Sequence, residues 1–268
     1  MLEWRLLETG EQNGALNMAI DEALLLGVAS ASSPPTFRLF AWQQECLSLG
    51  FTQQVDNSLL DVCRQQKVTV VRRPTGGAAV LHYRDLCYSV TARLGKEPLP
   101  RALQEANLKI NYALQAGLQL LGLPAEISFL ADGRRTAELA CAAAVSLYEV
   151  TVEGKKVLGS AQLQKEGCLL QHGSLALDFN PARLGVLLGR RGNRELAASA
   201  TGLRQAAGRD FTATEVGAAL AAGFAQCMGV RLERAGLTEA EQQAAKMLSG
   251  SRYRDLAGGG VAEKCMTC

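Results

Sequence analysis

A thiol, an ammonium and an imidazole fall within one stretch, Ala140 to Leu177, as Cys141, Lys156 and His172. A cysteine attacks carbon only as thiolate, so Cys141 needs a cation or a base at hand. Lys156 lies fifteen positions later. Between them, Tyr148 to Val152 alternates like a strand and Glu153-Gly154 has the composition of a two-residue hairpin turn. A hairpin brings such a lysine back toward the segment that precedes its first strand. On the return strand a period of two places Lys156, Ser160 and Gln162 on one face and Val157, Gly159 and Ala161 on the other. Glycine and alanine there leave room for a close approach. A third strand, Cys168 to Leu177, carries His172-Gly173-Ser174.

Upstream, the β-branched run Val68 to Val71 leads into Arg72-Arg73-Pro74-Thr75-Gly76-Gly77. That turn sequence is neither a Walker A loop nor GxGxxG. The backbone amides of Gly76 and Gly77 could face an anion or an acyl carbonyl, and Arg72 and Arg73 are open as surface charge or as receivers of an acidic partner or a phosphate. His82 and His172 are the two histidines of the chain. Taken singly, each of these residues has a plain structural alternative: Cys141 as core thiol, Lys156 as solvated strand lysine, the glycines as a turn, the histidines as satisfied core groups.

The elements that must position these groups alternate in type. Strands are expected at Leu2–Glu8, Thr36–Phe40, Cys46–Gly50, Val68–Val71, Ala78–His82 and Leu86–Ala92. Helical spacing marks Gly14–Ala29, Val55–Gln66, Arg101–Leu121, Pro181–Leu188, Thr212–Met228 and Leu237–Met247. The expected fold class is α+β, a mixed or antiparallel central sheet packed with helices, with a short helical C-terminal region. The domain expectation is a catalytic body over residues 1–209 and a small helical region with a tail over 210–268.

At 268 residues with 48% apolar content the chain can bury a full core, and a net charge of +2 implies no nucleic-acid footprint. No apolar run reaches the roughly 20 residues of a membrane span, and no signal core opens the chain, so the cytoplasm is the expected compartment. Eight scattered cysteines fit reduced thiols better than a disulfide framework. Cys265 and Cys268 form a lone CxxC, open as a frayed tail or as a metal or redox pair.

The combination is more specific than its parts. Asn17-Met-Ala-Ile-Asp-Glu22, Phe37 to Trp42 with Leu47 to Gly50, Arg72 to His82, Gly154 to Gln162 and Gln171 to Ser174 resemble, in order, the motifs of lipoate–protein ligases and octanoyltransferases. By this resemblance the chain is identified as a member of the cysteine-dependent octanoyltransferases in the lipoate–protein ligase A/biotin ligase superfamily. It extends from Asn17 to Tyr253, and Ala78, Tyr83 and Ala142 depart from the family pattern.

The resemblance implies the biotin/lipoate ligase catalytic fold and octanoyl transfer from octanoyl-acyl carrier protein to a lysine of a lipoyl domain, the glycine cleavage H protein being the expected acceptor. It makes Cys141 the acyl-thioester nucleophile and Lys156 the group that lowers its pKa and positions the acceptor. Arg72, Gly76, Gly77, His82, Gly159, Ser160, Ala161 and His172 become substrate-binding. No metal or cofactor, no nucleic acid and no membrane is expected, and the protein is expected to be a monomer. An amidotransferase drawing octanoyl from H protein, an ATP-dependent ligase and a non-catalytic acyl-protein binder stay open as alternatives.

Overall fold

The computed structural model describes residues 1–129, 148–188 and 198–258. The strands are β1 (Leu2–Gln12), β2 (Thr36–Trp42), β3 (Cys46–Leu49), β4 (Thr69–Arg72), β5 (Val80–His82), β6 (Asp85–Arg93), β7 (Ala125–Ile127), β8 (Val150–Val152), β9 (Lys155–Lys165), β10 (Cys168–Ala176) and β11 (Val230–Arg234). The helices are α1 (Gly14–Ala29), α2 (Asn57–Gln65), α3 (Leu103–Leu120), α4 (Pro181–Leu188), α5 (Leu203–Ala207), α6 (Ala213–Met228) and α7 (Glu239–Ser251).

Eight strands form one mixed sheet in the order β11-β1-β2-β6-β10-β9-β8-β7, and β4-β3-β5 form a smaller one. β11, β1 and β2 run parallel, whereas the strands from β2 through β6, β10, β9 and β8 to β7 pair antiparallel. Both faces are covered at the centre of the large sheet, so β2, β6 and most of β10 are buried on both sides rather than on alternate residues. Trp4, Leu6, Phe37, Leu39 and Tyr88 pack on one face with Ile110 and Leu114 of α3 and Phe224 of α6. Leu7, Phe40 and Cys87 point the other way, onto Met18, Ile20 and Leu24 of α1, with Ala245 of α7 and Tyr253. This is the expected mixed sheet packed with helices.

Helix starts follow from side-chain acceptors for the otherwise unpaired first amides. Asn13 caps α1 through Leu16 N at 2.9 Å, and Thr238 and Glu241 form a reciprocal capping box on α7. Glycine also sets how closely α3 and α6 approach: a Cβ on Gly223 would lie 2.3 Å from the backbone nitrogen of Gly117. Glu153 and Gly154 have φ of 51° and 73°, the double positive φ of a type I′ hairpin turn between β8 and β9.

One expected alternation does not hold. Thr151 pairs with Lys156 but Val150 pairs with Leu158, so an extra residue bulges out of β9 directly after Lys156. The bulge re-aims the lysine. It shares a cavity wall with Gly159 instead of lying with Ser160 and Gln162.

Candidate active site

Two adjoining cavities open where β5, β6, β9 and β10 meet. The first, of about 100 Å³, has Lys156, Asp85 and Asp178 among its walls. The second, of about 40 Å³, is bounded by Met18, Phe40, Trp42, His82, Ala161 and His172. Val80, Gly159 and Ser174 border both. Register explains the convergence, since Ser174 sits opposite Gly159 on β9 and opposite Cys87 on β6.

Lys156 is buried, and its Nζ lies 2.5 Å from Glu149 Oε1; both side chains are 6% exposed. The two opposite charges thus sit together in a poorly solvated place, where their attraction offsets the cost of burial. The backbone of Lys156 is fixed as well, with its carbonyl accepting from Thr201 N at 2.9 Å.

A second buried network holds His172. Its Nδ1 is 2.9 Å from Asp21 Oδ2 and its Nε2 is 2.6 Å from Thr75 Oγ1. Asp21 Oδ1 accepts from Arg38 at 2.7 Å and from Ser89 Oγ at 2.7 Å. Burial alone would raise the Asp21 carboxyl, but Arg38, His172 and Ser89 together hold it below the usual carboxylate range. Burial pushes His172 down, with Asp21 opposing, so the imidazole favours its neutral form. As a neutral ring donating from Nδ1 to Asp21, it accepts the Thr75 hydroxyl and anchors the loop that follows β4.

His82 anchors a third group. Its Nδ1 is 2.7 Å from Asp85 Oδ2, its Nε2 is 2.8 Å from Ser48 Oγ, and Trp42 stacks on the ring at 3.9 Å between centroids. Burial, followed by the Asp85 charge, pushes the Cys87 thiol well above its ordinary value. Among the described residues, His82, Asp85 and Cys87 are the group whose ligand-type atoms cluster tightly enough for a metal ion.

The structure thus brings His82, Gly159, Ser160, Ala161 and His172 to one cavity and Lys156 to its neighbour. Cys141 lies outside the described residues. Arg72 is turned to the loop after β3, donating to the carbonyls of Gly50, Phe51 and Gln53. The next residue, Arg73, faces inward and ties Ser48 O, Gly76 O and Ala78 O together. Gly76 and Gly77 are exposed and line neither cavity. Reading residues in isolation singled out Arg73 only as a charge beside Arg72, and it missed Asp21, Asp85 and Glu149. The available signals were an acid three positions after His82 and the Asp within the Asn17 to Glu22 motif.

Residues 13–225 match the lipoyl protein ligase A/B catalytic domain. The octanoyltransferase LipM of Kyrpidia tusciae is 38% identical over 268 residues, covering 95% of this chain and 98% of its own. That of Symbiobacterium thermophilum is 38% identical over 263 residues, covering 93% and 95%. In fold, the chain resembles lipoate-protein ligase A bound with ATP, with a TM-score of 0.77, 24% identity and coverage of 93% and 95%. It also resembles the bi-partite lipoate protein ligase of Thermoplasma acidophilum, with a TM-score of 0.75, 22% identity and coverage of 94% and 93%.

Proposed function

The chain belongs to the lipoyl protein ligase A/B catalytic-domain family and is an acyltransferase within it, and from that premise we propose that it moves an octanoyl group from octanoyl-acyl carrier protein to a lipoyl-domain lysine. The proposed acceptor is the glycine cleavage H protein, and the proposed intermediate is a thioester on Cys141. The observation that carries this reading is a buried lysine, Lys156, at a cavity that adjoins a second one walled by Met18, Phe40 and Trp42. A polar reacting end and an apolar chain need such neighbours.

In the first half-reaction the Cys141 thiolate attacks the donor thioester carbon, and collapse of the tetrahedral adduct expels the carrier thiolate, which takes the proton of the Lys156 ammonium and leaves that amine neutral. The Lys156 ammonium favours the thiolate at Cys141. In the second half-reaction the acceptor amine attacks octanoyl-Cys141, an amide forms, and the cysteine sulfur leaves. Lys156 in its neutral form takes the proton from the attacking amine. Backbone amides of Gly159 to Ala161, which border the smaller cavity, are the candidates for holding the oxyanion. Exchange of a thioester for an amide is downhill, so the scheme needs no ATP.

Intact mass after mixing with octanoyl-acyl carrier protein tests the scheme. Wild type is expected to gain one octanoyl group, lost again on adding apo-H protein, and Cys141→Ala to gain none. Lys156→Ala is expected to slow transfer by about 10²- to 10⁴-fold, the usual range for a lost acid–base group. Normal turnover by Cys141→Ala would sink the thioester. Acylation only from octanoyl-H protein would reassign the donor, and modification only with octanoate and ATP would make the protein a ligase.

A further inference from the structure

We propose that His82, Asp85 and Cys87 form a binding site for a thiophilic divalent cation, of the zinc or cobalt kind, in the wall shared by the two cavities. The three ligand atoms already stand near the corners of one face of a coordination tetrahedron. Cys87 Sγ is 3.3 Å from Asp85 Oδ2 and 3.7 Å from His82 Nδ1, and the latter two are 2.7 Å apart. Tetrahedral zinc with ordinary bond lengths separates sulfur, nitrogen and oxygen ligands by about 3.4 to 3.6 Å. Both distances to sulfur are close to that, and only the His82–Asp85 edge has to open.

Each ligand also has its own outer partner, the arrangement that orients ligands in metal sites. Ser48 Oγ is 2.8 Å from His82 Nε2, so it can accept from an Nε2–H tautomer that leaves Nδ1 free to ligate. Trp42 Nε1–H donates to Cys87 Sγ at 3.1 Å, a contact suited to a thiolate. Ser174 Oγ donates to Asp85 Oδ2 at 2.6 Å. His82 and Cys87 border the smaller cavity and Asp85 the larger, which provides an entry path.

Charge and proton balance are consistent with a dication. A thiolate and a carboxylate cancel its two charges, so the loaded site is neutral although it is buried. With the imidazole neutral, its proton exchanges from Nδ1 to Nε2 through solvent and the thiol proton is released, one proton per ion. A thiolate ligand selects zinc or cobalt over magnesium or calcium.

Cobalt(II) titration of the full-length chain carrying Cys141→Ala, Cys265→Ser and Cys268→Ser tests the site without the other sequence-indicated thiols. One equivalent is expected to produce a thiolate-to-cobalt band in the near ultraviolet and tetrahedral bands in the visible. Tryptophan emission is expected to fall in step, because Trp42 is in contact with two of the ligands. Adding Cys87→Ala should remove the near-ultraviolet band. Ser48→Ala, which keeps all three ligands, should retain the band and weaken binding about 10- to 100-fold. A band that survives Cys87→Ala, an affinity unmoved by Ser48→Ala, or no band in excess cobalt would each overturn the proposal.

Discussion

Asp21 joins two buried groups of opposite character, a guanidinium and an imidazole. It is fully enclosed and faces Arg38, itself fully enclosed, at 2.7 Å, while its second oxygen takes the His172 ring. Asp21→Asn would leave the Arg38 guanidinium buried without a counter-charge, a loss of about 3 to 5 kcal/mol for an ion pair of this kind. Urea unfolding should show it as a lower midpoint at unchanged slope. A loss below about 1 kcal/mol would mean that Asn17 and Thr9, which also accept from Arg38, suffice to hold it. This network was only half visible in the sequence. Asp21, Arg38 and His172 all lie in family-like motifs, but their mutual contact spans 151 positions and depends on the sheet order. Arg72 shows the reverse: two adjacent arginines cannot be told apart until strand alternation sends Arg73 inward and leaves its neighbour on the loop carbonyls.

At the level of elements, local chemistry was the readable part. Helical spacing marked α1, α6 and α7, and Asn13, Thr212 and Thr238 cap them, each accepting the backbone amide three positions on. Glu153-Gly154 announces its hairpin. The bulge after Lys156 was not readable, because nothing in Lys-Lys-Val-Leu-Gly departs from a regular strand until its partner is known. β7 and β11 were missed for similar reasons: one has three residues, and the other, Val230-Arg-Leu-Glu-Arg, offers only two apolar side chains at the sheet's edge. The contact between α3 and α6 makes a prediction of its own. Gly223→Val inserts atoms where a Cβ already meets backbone at 2.3 Å, so overpacking of about 1 to 3 kcal/mol should outweigh the few tenths returned by better helix propensity. A lower thermal midpoint is the expected readout, and an unchanged or raised one would show that the helices can separate at little cost.

Across the whole molecule, the end of the described chain is clasped to its beginning. Arg5 of β1 makes a two-pronged contact with Glu241 of α7 at 2.8 and 2.7 Å, and Ser33 Oγ adds a third bond to the same carboxylate. Burial would raise Glu241, but Arg5, Ser33 and the Thr238 amide outweigh it and bring the carboxyl from 4.5 to about 2. Its stabilising share is therefore complete above pH of about 4.5 and disappears as the pH falls through about 2. Glu241→Gln should lower stability at neutral pH yet lose less between pH 5 and pH 3 than wild type does, as read from urea midpoints at both values. Equal acid losses in the two proteins would remove Glu241 from the account.

The sheet order also has a consequence for synthesis. β1 lies between β2 and β11, and Val230 emerges 218 positions after Gln12. At bacterial-to-eukaryotic elongation rates of about 5 to 20 residues per second, one edge of the first strand waits roughly 10 to 40 s for its partner. During that interval the amides and carbonyls of residues 2–6 that will meet β11 have only solvent, or another nascent chain, to bond. Among the described strands, the first to be made thus waits for the last to be completed.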